Sequence, residues 1–139
     1  MNAKTYLGKA RWLKDQIARL NEKIYMIRSE MTSTGAMRYD KIAVQSSPDG
    51  DPLVHYIDRL AAAERRMVEL QVEYYETYGK IQRQIGEIEP DLYRQILTLR
   101  YLDGLSFPKI ADKMGYSFDY VRSRHSEALK CFSKLFLSR

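Results

Sequence analysis

The chain has 139 residues, a formal charge of +5, and a composition of 45% apolar and 29% charged residues, ordinary for a globular protein. That length suits one domain, or one small domain with a helical extension. No apolar run approaches the ~20 residues of a membrane span, the opening MNAKTYLGKARWLKD lacks a secretory apolar segment, and the single cysteine, Cys131, excludes an internal disulfide. A cytoplasmic location is expected and no membrane partner.

The first predicted element is a long helix. Tyr6, Ala10, Leu13, Ile17, Leu20, Ile24, Ile27 and Met31 recur in alternating steps of four and three, a heptad seam over residues 4–31. The stretch 32–51 (TSTGAMRYDKIAVQSSPDGD) loses this period and gathers Ser, Thr, Gly and Pro, which predicts a flexible loop. Asp51-Pro52 then reads as a helix start, with Asp51 as cap and Pro52 in the first turn. A second heptad track follows through Leu53, Ile57, Leu60, Glu64, Met67, Gln71, Tyr74, Tyr78, Ile81, Ile85 and Ile88. Beside it runs a second apolar stripe of Ala61, Val68, Val72 and Tyr75. A helix with two stripes has more to bury than one partner covers. The first helix is one partner, giving an antiparallel hairpin, and a second copy of the chain is the other. Trp12 is expected to pack beside the first seam, and Glu89-Pro90 to end the second helix.

The remaining stretch carries the most specific pattern. Asp91 is placed to cap a helix running to about Leu102, with Leu92, Ile96, Leu99 and Leu102 on its buried side. Asp103-Gly104 breaks it. Ser106 caps the next helix, with Pro108 in its first turn and Phe107, Ile110, Ala111 and Met114 inward. Gly115 needs positive φ in the turn, with Tyr116 as its apolar residue. Ser117 caps the third helix, whose Val121, Ala128, Leu129 and Phe132 face inward. A small residue at 111, glycine four later and an apolar residue ten later together specify a helix-turn-helix, whose second helix is shaped for the DNA major groove.

The outer face of that helix supplies candidate DNA-binding residues. Arg122 is the best candidate for a base, because a guanidinium pairs bidentately with guanine. Ser123 suits a base or a phosphate; Phe118 and Tyr120 suit a thymine methyl or a sugar; Asp119 and Ser126 share the face. Arg124, Lys130, Lys109 and Lys113 suit phosphates, which set register without reading sequence. Ser106 and Ser117 complete the set at the two helix starts. Charge agrees: residues 1–31 carry seven Lys/Arg against three Asp/Glu, and residues 89–139 nine against six, while 53–88 carry five against six. Such ends favour a polyanionic partner.

His125 is read as a packed core residue and His55 as lacking any second ligand nearby, so neither a metal nor another cofactor is expected. No phosphate loop, dinucleotide fingerprint or nucleophile elbow occurs, and an enzyme is not expected.

The segment LRYLDGLSFPKIADKMGYSFDYVRSRHSEAL resembles region 4 of bacterial sigma factors, through Gly104-Leu105-Ser106 and Val121-Arg122-Ser123-Arg124. With the opening YLGKARWL, the layout is similar to a family of small phage and prophage proteins of low-GC Gram-positive bacteria, related to ArpU-type regulators of late genes. The resemblance implies DNA binding and transcriptional control. The amino-terminal hairpin resembles neither the part of a sigma factor that melts the −10 element nor its large polymerase-binding surface.

The expectation is therefore an all-α protein. Residues 1–88 form a coiled-coil-like antiparallel hairpin that dimerises, and residues 89–139 form the helix-turn-helix domain. Double-stranded DNA is the expected partner, with RNA polymerase as a further one, and a phage transcriptional activator the expected role. The alternatives are a DNA-packaging protein like a small terminase subunit, or a module that binds RNA polymerase alone.

Overall fold

The computed structural model describes residues 1–34 and 52–138, and all regular structure among them is helical. Helix α1 spans Ala3–Leu7, α2 Lys9–Thr34 and α3 Pro52–Ile85. Helix α4 spans Asp91–Leu97 and runs on into a π-helical turn, Thr98–Leu102. Helix α5 spans Phe107–Met114, and α6 spans Phe118–Phe132 before a second π turn, Ser133–Leu137. The expected loop and its Asp51 cap lie outside the described residues, apart from Thr32–Thr34, which extend α2.

The chain divides into two compact units. One combines Met1–Lys14 with Glu73–Arg139, and the other is Asp15–Val72.

In the unit Asp15–Val72, α2 and α3 pair antiparallel. Glu30 meets Arg59 at 3.7 Å and Arg28 meets Glu64 at 2.7 Å, so the numbers rise on one helix as they fall on the other. Ile24, Ile27 and Ala63 are buried between them, with Leu20, Met31, Tyr56, Leu60 and Met67 packed around. All eight residues of the first seam, from Tyr6 to Met31, are buried or half-buried. The second helix needs a correction. Ile57, Glu64 and Gln71 are exposed, and the inward track passes through Tyr56, Leu60, Ala63, Met67 and Leu70. Leu60 and Met67 belong to both tracks, but the positions alternating with them fall one residue earlier, at Tyr56, Ala63 and Leu70, and a one-residue step of about 100° around the helix leaves Ile57, Glu64 and Gln71 in water. The second stripe is uncovered: Val68 is 58% and Val72 51% exposed, with Ala61 half-buried.

In the other unit, the beginning of the chain shares a core with its end. Ala3, Leu7 and Ala10 pack with Ile81, Ile85, Ile88, Leu97, Tyr101, Ala128 and Phe132. Asn2 caps α1 by accepting from the Thr5 amide at 2.7 Å. Tyr6 Oη donates to Gln84 Oε1 at 2.8 Å, and Lys9 meets Glu73 at 3.5 Å, again in antiparallel order. Trp12, expected to pack, is 56% exposed.

Helix α4 departs from expectation at both ends. Pro90, not Asp91, is its N-cap residue, and the Asp91 carboxylate instead accepts from the Arg94 and Gln95 side chains. These two hydrogen bonds, the Arg94 one first, hold the Asp91 pKa below its ordinary value. At the far end, Asp103 N–H bonds back to Thr98 O at 3.0 Å, five residues away. The buried set is Ile96, Leu97 and Tyr101, and the expected Leu92, Leu99 and Leu102 are half-buried. Gly104, at φ +73, then ends the element as the Asp-Gly pair predicts.

Candidate nucleic-acid interface

Helices α5 and α6 form a helix-turn-helix built from local signals. Ser106 Oγ accepts from the Lys109 amide at 3.5 Å and Ser117 Oγ from the Tyr120 amide at 3.1 Å, so each serine satisfies a free N–H of the helix it opens. Pro108 sits in the first turn of α5. Gly115 ends that helix at φ +75, and the amides of Gly115 and Tyr116 both return to Ala111 O, at 2.9 and 3.0 Å. Ile110, Ala111 and Val121 are buried where the helices cross, with Leu99, Leu105, Phe107 and Met114 around them. The expected inward positions of α6 hold: Val121, Ala128 and Phe132 are buried and Leu129 is half-buried.

Behind this face lies a neutral polar pair. His125 is 6% exposed, and its Nε2 lies 2.7 Å from Tyr101 Oη. Its ring stacks on Tyr101 and meets the edge of Phe107 at 4.8 Å. Burial pushes the His125 pKa down to about 4, with the nearby charges of Arg100 and Lys4 adding to the effect. Burial pushes the Tyr101 pKa up to about 12, against the opposing charge of Arg100. Both groups are thus uncharged at neutral pH, and His125 is the packed core residue its position suggested. Arg100 ties the π turn to the entry of α5. Its guanidinium lies 4.6 Å from the Phe107 ring and donates to Leu105 O at 3.0 Å.

Of the twelve sequence-predicted residues, eleven are exposed: Ser106, Lys109, Lys113, Ser117, Phe118, Asp119, Tyr120, Arg122, Ser123, Ser126 and Lys130. Arg122 and Ser123 stand one turn into α6, and no side-chain partner occupies the Arg122 guanidinium among the described residues. Ser126 Oγ bonds to Arg122 O at 3.4 Å, and Lys130 meets Glu127 at 3.5 Å. Ser106 and Ser117 spend their acceptor oxygens on capping. Arg124 differs from the rest. It is half-buried, lies 5.6 Å from the Tyr120 ring and donates to Ser123 Oγ, while its buried Nε has no partner among the described residues.

One feature of this surface escaped the sequence reading. Tyr116 is 45% exposed, and its ring lies 4.8 Å from that of Tyr120. With Phe118 it forms an aromatic edge at the leading end of α6. Aromatic residues at 116, just before the Ser117 cap, and at 120, in the first turn of α6, were the available signal. Beside this edge an open cavity of about 790 Å³ is lined by Asp91, Leu92, Arg94, Gln95, Thr98, Leu99, Lys113, Met114 and Tyr116.

Between Ser106 and Lys130 there are five Lys or Arg against three Asp or Glu. Cations at the margins and one unpaired guanidinium at the centre can hold phosphates and probe a base edge. Among the described residues there is no cluster of His, Cys, Asp and Glu able to hold a metal, and no helix is long and apolar enough to cross a membrane.

Comparison with known families matches residues 90–134 to Sigma-70, region 4. The matched segment holds α4, α5 and α6 and is less than half of the chain. No curated protein and no solved structure matches the chain. The helix-turn-helix is thus of the sigma region 4-like kind, a DNA-binding regulatory type of domain.

Proposed function

We propose that the protein is a sequence-specific transcriptional regulator that binds double-stranded DNA through α6, and that it activates phage or prophage genes as a homodimer. One observation carries this reading. The segment similar to Sigma-70, region 4 coincides with a helix-turn-helix whose second helix turns Arg122, Ser123 and Ser126 to solvent and Val121, Ala128 and Phe132 to the core. Arg122 reads a guanine, while Lys109, Lys113, Arg124 and Lys130 bind phosphates and Ser106, Ser117, Phe118, Asp119 and Tyr120 line the path between. Activation follows from holding the sigma-like head beside a promoter, within reach of RNA polymerase. Two heads in one dimer favour a repeated or palindromic site.

Fluorescence anisotropy against DNA upstream of neighbouring genes, with scrambled competitor and a salt series, tests the reading. Binding is expected to be specific and to weaken with salt. Arg122→Ala is expected to lose about 1–3 kcal/mol and to relax preference at one base pair. Equal affinity for the scrambled DNA would overturn direct promoter recognition.

A further inference from the structure

The unit Asp15–Val72 buries one face of α3 and leaves another open. Val54, Ile57 and Val68 are 53%, 47% and 58% exposed, and with half-buried Ala61 they follow one line along the helix. Two opposite charges flank that line on the same side, Asp58 and Arg65, seven residues or two turns apart. Both are exposed, and neither has an ion-pair partner among the described residues. Their neighbours are different: Arg59 meets Glu30, Glu64 meets Arg28, and Arg66 meets Glu69.

We infer that this face docks a second copy of the same chain, antiparallel, about a two-fold axis beside Ala61. The pattern is complementary to itself under that rotation. In an antiparallel pair of helices, each flank faces the same flank of the partner with the direction reversed. An axis beside residue 61 therefore sets Asp58 of each copy against Arg65 of the other, making two equivalent ion pairs from groups that have no ion-pair partner among the described residues. The smallest side chain, Ala61, falls at the centre, where the helices come closest. Val54 meets the second copy's Val68. Ile57 reaches the second copy's open groove of about 420 Å³, lined among others by Ile24, Glu64, Met67 and Val68. A register that places like charges together has no such pairing. This inference rests on the homodimer in the proposed function and specifies the surface that makes it.

Sedimentation equilibrium of the full chain without DNA tests it. The unaltered chain is expected to self-associate. Asp58→Arg and Arg65→Asp are each expected to weaken association about tenfold, because each substitution replaces two ion pairs by two like-charge contacts. The double variant Asp58→Arg/Arg65→Asp is expected to recover it. Val68→Asp, at an exposed position, is expected to abolish association while leaving the helical circular dichroism unchanged. A monomer at all concentrations would overturn the inference, as would an association indifferent to the single reversals or unrestored by the double one. The measurement contains no DNA, so its failure leaves promoter binding by Arg122 standing, and failure of promoter binding leaves it untouched.

Discussion

The helix-turn-helix and the paired stretch of α2 and α3 between Asp15 and Val72 treat their apolar residues in opposite ways. In the former, Ile110, Val121, Ala128 and Phe132 are wholly buried, and the exposed apolar groups are confined to the aromatic edge at Tyr116, Phe118 and Tyr120. In the latter, Ile24, Ile27, Ala63 and Leu70 are buried, while Tyr25, Met26, Val54, Val68 and Val72 are more than half exposed. Short helices that cross one another enclose a core from several sides. Two helices lying side by side cover only one stripe each. Such a pairing covers the single stripe of α2, though not Tyr25 and Met26 beside it, and only one of the two stripes of α3.

The contrast is tested most strongly by deleting core volume on each side. Phe132→Ala removes a fully buried ring in contact with Tyr6 and Phe136 and is expected to cost about 3–5 kcal/mol in denaturant unfolding. Met67→Ala, half-buried between α2 and α3, is expected to cost about 1 kcal/mol. Equal losses would erase the distinction between an enclosed core and a one-sided one.

A second test uses pH and separates the two regions by chemistry. Folded His125 takes up a proton near pH 4, whereas unfolded it does so near 6.5. As pH falls through this window the unfolded chain protonates first, so stability present above about 6.5 declines toward pH 4, by up to about 3 kcal/mol. Thermal melts of the chain and of His125→Gln between those limits check it. The variant is expected to show a flatter decline, and parallel curves would remove His125 as the cause.

The smallest expected effect concerns a local signal. Ser117→Ala leaves the Tyr120 amide without its cap and is expected to cost about 1 kcal/mol in the same unfolding assay. A negligible loss would mean that packing alone, rather than capping, sets where α6 begins.

These residues also show which parts of the molecule were legible in advance. Ser106, Gly115 and Ser117 act through hydrogen bonds and dihedral angles within a few residues of themselves, so their positions in the sequence located both helices and the turn between them. The first seam was legible because α2 has one stripe and therefore one phase. Helix α3 was legible at Leu53, Leu60, Met67, Tyr74, Tyr78, Ile81, Ile85 and Ile88 but not at Ile57, Glu64 and Gln71, because two stripes leave its rotation open, and the choice of Ala63 and Leu70 over Glu64 and Gln71 is made by the opposing surface of α2. The π turn at Thr98–Leu102 was hidden for a similar reason. It accompanies the burial of Leu97 and Tyr101 in a core formed by distant segments, and no local pattern marks it. At the interface, the solvent-facing side of α6 followed from periodicity. The lean of Arg124 onto Tyr120 and the pairing of Tyr116 with Tyr120 depended on rotamers that spacing does not specify.

The sequence by itself determined the helical class, the helix-turn-helix and the exposed face of its second helix, because caps, glycine turns and a 3.6-residue period are properties of neighbouring residues. Tertiary structure alone decided that Ala3, Leu7 and Ala10 close the core around Phe132, and which stripe of α3 is left open. Those outcomes depend on how surfaces far apart in the chain compete to exclude water, and the lowest free energy among such arrangements is a property of the whole fold.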